Sequence, residues 1–193
     1  MIHTTDSFYL DKTLYTGRPS NLTGRISKEI RTYDLLDKLN ISYQRVDHAP
    51  LPTIDACREV DTLLEIDICK NLFLRNAQKT DFYLLILPGR KKFRTAALSR
   101  QIGTSRLSFA EPEFMIQFLD ITPGSVSVMG LMNDKDCRVR LLIDKDVLFN
   151  DFFGCHPCIN TSSLKFRTTD LLDIILPAIS CEYTLVDLPS GQE

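Results

Sequence analysis

Cys69-Lys70-Asn71-Leu72-Phe73-Leu74-Arg75 is followed, after the polar stretch 76–81, by Phe82-Tyr83-Leu84-Leu85-Ile86-Leu87. In the first run, Leu72 and Leu74 alternate with Asn71, Phe73 and Arg75, the period of two that sends successive side chains to opposite faces of a strand. Phe73 interrupts strict apolar/polar alternation, so both faces should be covered there. The second run is continuously apolar, as expected of a strand buried on both sides. The pair predicts a hairpin at the centre of a sheet. It also leaves Lys70, a long flexible cation, and Asn71, an amide, at the mouth of a strand. Glu65-Ile66-Asp67-Ile68 precedes them and supplies acids that can hold or screen an ammonium. A lysine there is by itself an ordinary solvated residue; with a polar partner it can also receive an anionic or ester-bearing ligand.

Working outward, short helices and strands interleave without a regular βαβ repeat, which predicts an α+β fold in a single compact domain. The expected helices cover 27–39, a short stretch from Thr53 to 60, 95–101, a segment opening at Glu111-Pro112-Glu113, and one from Thr168 or Thr169 to 177. Further strands are expected at 43–47, 106–109, 138–144, 163–167 and 182–187. The small-residue segment 122–131 predicts a turn and a strand where backbone comes close to a ligand. Residues 151–161 predict a proline loop. Residues 1–26, polar with Gly17-Arg18-Pro19-Ser20-Asn21, predict an N-terminal extension, and 27–193 the folded domain.

Bulk properties narrow the function classes. The 193 residues are 44% apolar and 25% charged with a formal charge of −2. Overall electrostatics therefore give no broad attraction to nucleic acid, while a local basic patch stays open. No apolar run approaches the ~20 residues that span a bilayer. Met1-Ile2-His3-Thr4-Thr5-Asp6 shows no secretory signal, so a cytoplasmic protein without membrane contact is expected. The six cysteines (57, 69, 137, 155, 158, 181) are then expected as reduced thiols. Cys155-His156-Pro157-Cys158 invites a zinc or redox reading, but no second ligand pair stands at suitable spacing, so no metal and no cofactor are expected. Residues 90–94 form a basic turn with an aromatic inside it, and Lys91, Lys92 and Arg94, with Arg106, are the candidate nucleic-acid surface.

Six motifs occur in order: Val46-Asp47-His48-Ala49-Pro50, Cys69-Lys70-Asn71-Leu72-Phe73-Leu74, Arg106-Leu107-Ser108-Phe109-Ala110, Thr122-Pro123-Gly124-Ser125-Val126-Ser127, Gly130-Leu131-Met132-Asn133-Asp134 and His156-Pro157-Cys158-Ile159-Asn160-Thr161. Over residues 28–188 this series resembles the prolyl-tRNA editing family. Its YbaK-like domains are inserted in bacterial prolyl-tRNA synthetases or stand alone, and the likeness is greatest to the freestanding alanyl-tRNA(Pro) deacylase type.

The resemblance implies a curved mixed sheet flanked by helices and hydrolysis of the ester joining a wrong amino acid to tRNA(Pro). A proline pocket rejects the smaller alanine weakly, because a missing methylene is worth only ~1–3 kcal/mol, so a second site must remove the error. Carried over by motif, Lys70 is the residue on which activity depends and Asn71 orients the substrate. His156, with Asn160 and Thr161, shapes the substrate pocket, and Gly130 and Ser125 form the wall against which the aminoacyl group sits. The implied partners are the tRNA(Pro) acceptor end and prolyl-tRNA synthetase. No metal is expected, the attacking water being positioned with help from the tRNA's own ribose hydroxyl. Gly154-Cys155 stand where an aromatic is expected and Val128-Met129 where Pro-Phe is more usual; both are expected to line the pocket. A second function class is a catalytically idle homologue that binds tRNA or a synthetase.

Overall fold

The computed structural model describes residues 9–50 and 54–189, with side chains from residue 57 in the second stretch. The expected hairpin is its centre. Strands β3 (Lys70–Arg75) and β4 (Phe82–Leu87) pair antiparallel, with Lys70 opposite Leu87 and Arg75 opposite Phe82. All six residues of β4 are buried. One face meets Phe73, Leu141, Ile143, Phe153, Phe166 and Tyr33 in the main core. The other meets Leu98, Leu107, Leu142 and Val186 in a second cluster. Covering both faces is what the unbroken apolar run requires.

The fold is α+β. The hairpin belongs to a five-stranded mixed sheet in the order β5-β3-β4-β6-β9. Here β5 is Ser108–Phe109, β6 Val139–Asp144 and β9 Tyr183–Val186, the last two running parallel to β4 and β6 respectively. A second, antiparallel sheet, which the periodicity does not announce, runs β1 (Tyr15–Thr16), β2 (Gln44–Asp47), β8 (Ser162–Arg167), β7 (Phe152–Cys155). Helix α1 (Ser27–Lys38) contributes Tyr33 and Leu36 to the core between the sheets, and Asn40 reverses the chain after it at φ 55°. Helix α2 (Ile54–Leu64) places Val60 and Leu64 against Val46 of β2. Helix α3 (Thr95–Gln101) covers the far face of the mixed sheet through Leu98. The cap expected at Thr53 lies outside the described residues.

Two sequence expectations change. Segment 122–131 does not end in a strand: Val128–Asn133 is a 3₁₀ helix, opened by the Ser127 hydroxyl accepting the Met129 N–H at 3.2 Å. A serine that satisfies a free amide nucleates a helical turn where valine and methionine alone suggest an extended one. Residues 152–155, expected within a loop, form β7. The N-terminal stretch runs along β2, with β1 paired to Arg45 and Gln44 and Leu10 bridging to His48. Arg25 braces it, donating to Glu29 at 2.6 Å and to Asp47 at 2.5 Å. Burial alone would raise the Asp47 carboxyl, but Arg25 and Arg45 hold it below its ordinary value.

Candidate active site

Strand β5 covers only the end of β3, opposite Leu74 and Arg75. The earlier part of β3 has no strand on that side among the described residues, and a cavity of about 300 Å³ opens along it. Its lining comes from β3 (Asn71, Leu72, Phe73), the preceding Ile68 and Cys69, Phe109, Met115, the turn residues Gly124 and Val126, Cys155 at the end of β7 and His156 after it. Four of the motif stretches therefore meet at one place.

Hydrogen bonds fasten them together. The Asn71 amide donates to the Cys69 carbonyl at 3.0 Å and accepts the Val128 N–H at 3.1 Å, tying β3 to the 3₁₀ helix. Ser125 Oγ accepts the Asn160 N–H at 3.1 Å, and the Ser127 hydroxyl donates to the His156 carbonyl at 2.6 Å. Gly124 makes the turn at φ 85°, a left-handed backbone that suits glycine. Thr161 contributes through its backbone, its carbonyl accepting the His48 N–H at 3.0 Å.

The two imidazoles behind the cavity have assignable tautomers. His48 Nδ1 lies 2.8 Å from the Ala49 carbonyl and His156 Nδ1 2.8 Å from the Ser162 carbonyl. A carbonyl only accepts, so both rings carry their proton on Nδ1. The Ser163 hydroxyl then donates to His48 Nε2 at 2.9 Å and faces the Nδ1–H of His156 at 3.3 Å. Burial lowers the pKa of His156 to about 4, so its ring is neutral at pH 7. Its Nε2 is a lone-pair acceptor on a residue that lines the cavity. His48 and Ser163 carry no obvious motif chemistry; the signal for them is their position against His156.

The expected site residues separate. Asn71 and His156 line the cavity, and Ser125, Asn160 and Thr161 brace its wall. Lys70 is exposed, and its ammonium donates to the Lys91 carbonyl at 3.0 Å rather than lining the cavity. Period-two alternation sends it to the opposite side of β3 from Asn71. Gly130 does not line the cavity: it is packed on the core, where an added Cβ would lie 2.3 Å from Ile121 Cδ1. The glycine at the wall is Gly124. Met129 is fully buried in the core, so of the unusual residues it is Cys155, not Met129, that borders the cavity. Burial pushes the Cys155 thiol up, and the Cys158 thiol to about 11, so both are protonated. Among the described residues no group of three or more histidine, cysteine or acidic side chains is gathered as metal ligands would be.

Of the basic residues, Lys92, Arg94 and Arg106 are exposed and have no ion-pair partner among the described residues. Lys91 is not part of that surface. Its side chain is 5% exposed and lies 2.8 Å from Asp144 and 2.8 Å from Asp146. A basic run in sequence cannot distinguish a solvated lysine from one drawn inward by a buried carboxylate. Among the described residues no helix is long and apolar enough to cross a membrane.

The family described as aminoacyl-tRNA editing domain matches residues 48–174, a span that holds β3, the glycine turn and the His156 loop. The chain belongs to the aminoacyl-tRNA editing domain family. Prolyl-tRNA editing protein ProX from Acetoanaerobium sticklandii is 32% identical over 140 residues, covering 72% of this chain and 85% of that protein. Prolyl-tRNA synthetase associated domain-containing protein 1 from Danio rerio is 25% identical over 149 residues, covering 76% and 79%. A solved structure described as a candidate trans-editing enzyme for prolyl-tRNA synthetase superposes with a TM-score of 0.62 at 15% identity, over 86% of this chain and 99% of that one. That likeness establishes the editing-domain fold.

Proposed function

We propose that this editing-domain protein acts in trans as a deacylase on mischarged tRNA(Pro), hydrolysing the ester of alanyl-tRNA(Pro). The observation that carries the reading is the cavity beside Asn71 and His156, where four motif stretches converge. The name of the relative from Acetoanaerobium sticklandii points to the same tRNA.

Each residue then has a task. The cavity holds the aminoacyl side chain against Gly124, Val126 and Cys155. His156, neutral and protonated on Nδ1, accepts a hydrogen bond from the substrate's ammonium or ribose through Nε2. Asn71 keeps β3 and the 3₁₀ helix in register and retains one amide N–H for the substrate. Lys70 swings its four-carbon stem from the Lys91 carbonyl to the ester, where its charge holds phosphate or ribose and stabilises the developing oxyanion. The lining contains no carboxylate among the described residues. Hydrolysis on this account rests on positioning the water and polarising the carbonyl, with the ribose hydroxyl assisting. Exposed Lys92, Arg94 and Arg106 meet the acceptor stem. The working unit is residues 27–193, with 1–26 an extension and prolyl-tRNA synthetase the upstream partner, in the cytoplasm.

The contact of Lys70 with Lys91 also favours a second reading, a homologue that binds tRNA without hydrolysing it. One experiment separates the two: incubate the protein with tRNA(Pro) charged separately with alanine, serine, cysteine and proline. Rapid release of alanine with proline spared supports the editor. Release of serine or cysteine moves the specificity to the space around Cys155. Release of none, with binding retained, leaves the binding module.

A further inference from the structure

At the rim of the cavity stands an aromatic ring that the packing does not need. Phe109 is 59% exposed although it lines the cavity. Its ring is fixed edge-on against Phe93, with centroids 6.5 Å apart and planes at 68°. Phe93 itself packs on the second core cluster, so it anchors the pair. Opposite Leu74, Phe109 is the last residue of β5, held in the sheet rather than on a loop tip. Three exposed cations without ion-pair partners among the described residues, Lys92, Arg94 and Arg106, lie near these two rings in sequence.

A flat apolar face on an edge strand, with exposed cations near it in sequence and at the lip of the cavity, matches one ligand chemistry: a nucleobase whose sugar and phosphates continue along the cations. Base–aromatic stacking is insensitive to base identity, and cations beside it track the backbone. We propose that Phe109 is the stacking platform for the terminal base of the tRNA 3′ end, placing the ribose ester over the cavity. This rests on the reading of the cavity as an aminoacyl-ester site. It goes beyond that reading in assigning a base subsite and a positioning role to a residue that carries no task in the hydrolysis.

The test uses the full chain and an acceptor-stem hairpin ending in CCA, its terminal adenine replaced by 2-aminopurine, whose fluorescence falls on stacking. Wild-type protein should quench it saturably. Phe109→Tyr should retain the quench, whereas Phe109→Leu, which keeps apolar bulk without a π face, should lose it and bind about tenfold more weakly or worse. Circular dichroism and thermal melts confirm that the variants are folded, as expected for a substitution at an exposed ring. In deacylation of alanyl-tRNA(Pro), Phe109→Leu should raise KM with kcat little changed. Absence of quenching with wild type, or equal quenching and affinity with Phe109→Leu, overturns the subsite even if hydrolysis proceeds. Quenching lost in Phe109→Leu, with no hydrolysis of any ester by wild type, upholds the subsite and removes the deacylase reading instead.

Discussion

The ammonium of Lys70 donates to the backbone carbonyl of Lys91 at 3.0 Å, while the ammonium of Lys91 turns inward to Asp144 and Asp146, each at 2.8 Å. One lysine is held by the backbone that the other pins in place. Burial works against the charge of Lys91, yet the two carboxylates raise its pKa. Asp144 is fully buried and also accepts the Leu188 N–H at 3.1 Å.

Removing one partner of such a buried pair leaves an uncompensated charge. Lys91→Met should therefore destabilise the fold by roughly 3–5 kcal/mol, whereas Lys92→Met, on the adjacent exposed residue, should stay within about 0.5 kcal/mol. Thermal or urea melts of the two variants check this; equal stabilities would show that the Lys91 contacts do not hold the turn.

Gly130 should behave as a packing residue. A methyl group there meets Ile121 Cδ1 at 2.3 Å and Leu119 Cβ at 3.1 Å. Gly130→Ala should cost about 1–3 kcal/mol through overpacking and leave the order of preference among aminoacyl esters unchanged. A melt together with the aminoacyl panel reads both. A changed preference without a stability loss would return Gly130 to the pocket wall.

His156 carries a pH signature. Its folded pKa lies near 4 against an ordinary 6.5, because burial disfavours the imidazolium. Between these values the unfolded chain binds the extra proton and the native state does not. The contribution of His156 to stability is complete above pH 6.5 and is lost as pH falls towards 4. The Cε1–H resonance of His156 should titrate with a midpoint near 4. A midpoint near 6.5 would mean that the ring is solvated and not fixed by the Ser162 carbonyl.

Binding of uncharged tRNA(Pro) should weaken linearly in log K against log salt. Lys92→Gln, Arg94→Gln and Arg106→Gln should each reduce the magnitude of that slope by about 0.7–0.9. Filter binding over a salt series measures this, and an unchanged slope would move the acceptor stem to another face.

How much of this is legible in the sequence depends on how local the determining interactions are. The hairpin of β3 and β4 follows from the alternation around Leu72 and the unbroken run of Phe82–Leu87, both short-range patterns. The second sheet does not follow, because β2 and β8 pair across more than a hundred residues, Asp47 opposite Ser162. Asn71 and His156 are found from their motifs and meet in the cavity. Gly124 is preferred over Gly130 at the wall only because the Ser127 hydroxyl turns the following residues into a 3₁₀ helix. Lys91 reads as part of a basic surface because the carboxylate that buries it, Asp144, lies 53 positions away. His48 and Ser163 acquire a role through one shared contact with His156, which no spacing announces.

On the proposed function this cavity hydrolyses an aminoacyl ester, with Asn71 in its lining and Lys70 reaching the ester from its contact with the Lys91 carbonyl. Single-turnover deacylation of alanyl-tRNA(Pro) by wild type, Lys70→Ala and Asn71→Ala tests it most directly. Wild type should release alanine rapidly and Lys70→Ala should be slower by about 10²–10³-fold, with tRNA affinity little changed. Asn71→Ala should lose both rate and stability, because the Val128 N–H loses its acceptor. Hydrolysis by Lys70→Ala at the wild-type rate, or none by the wild type, would contradict it.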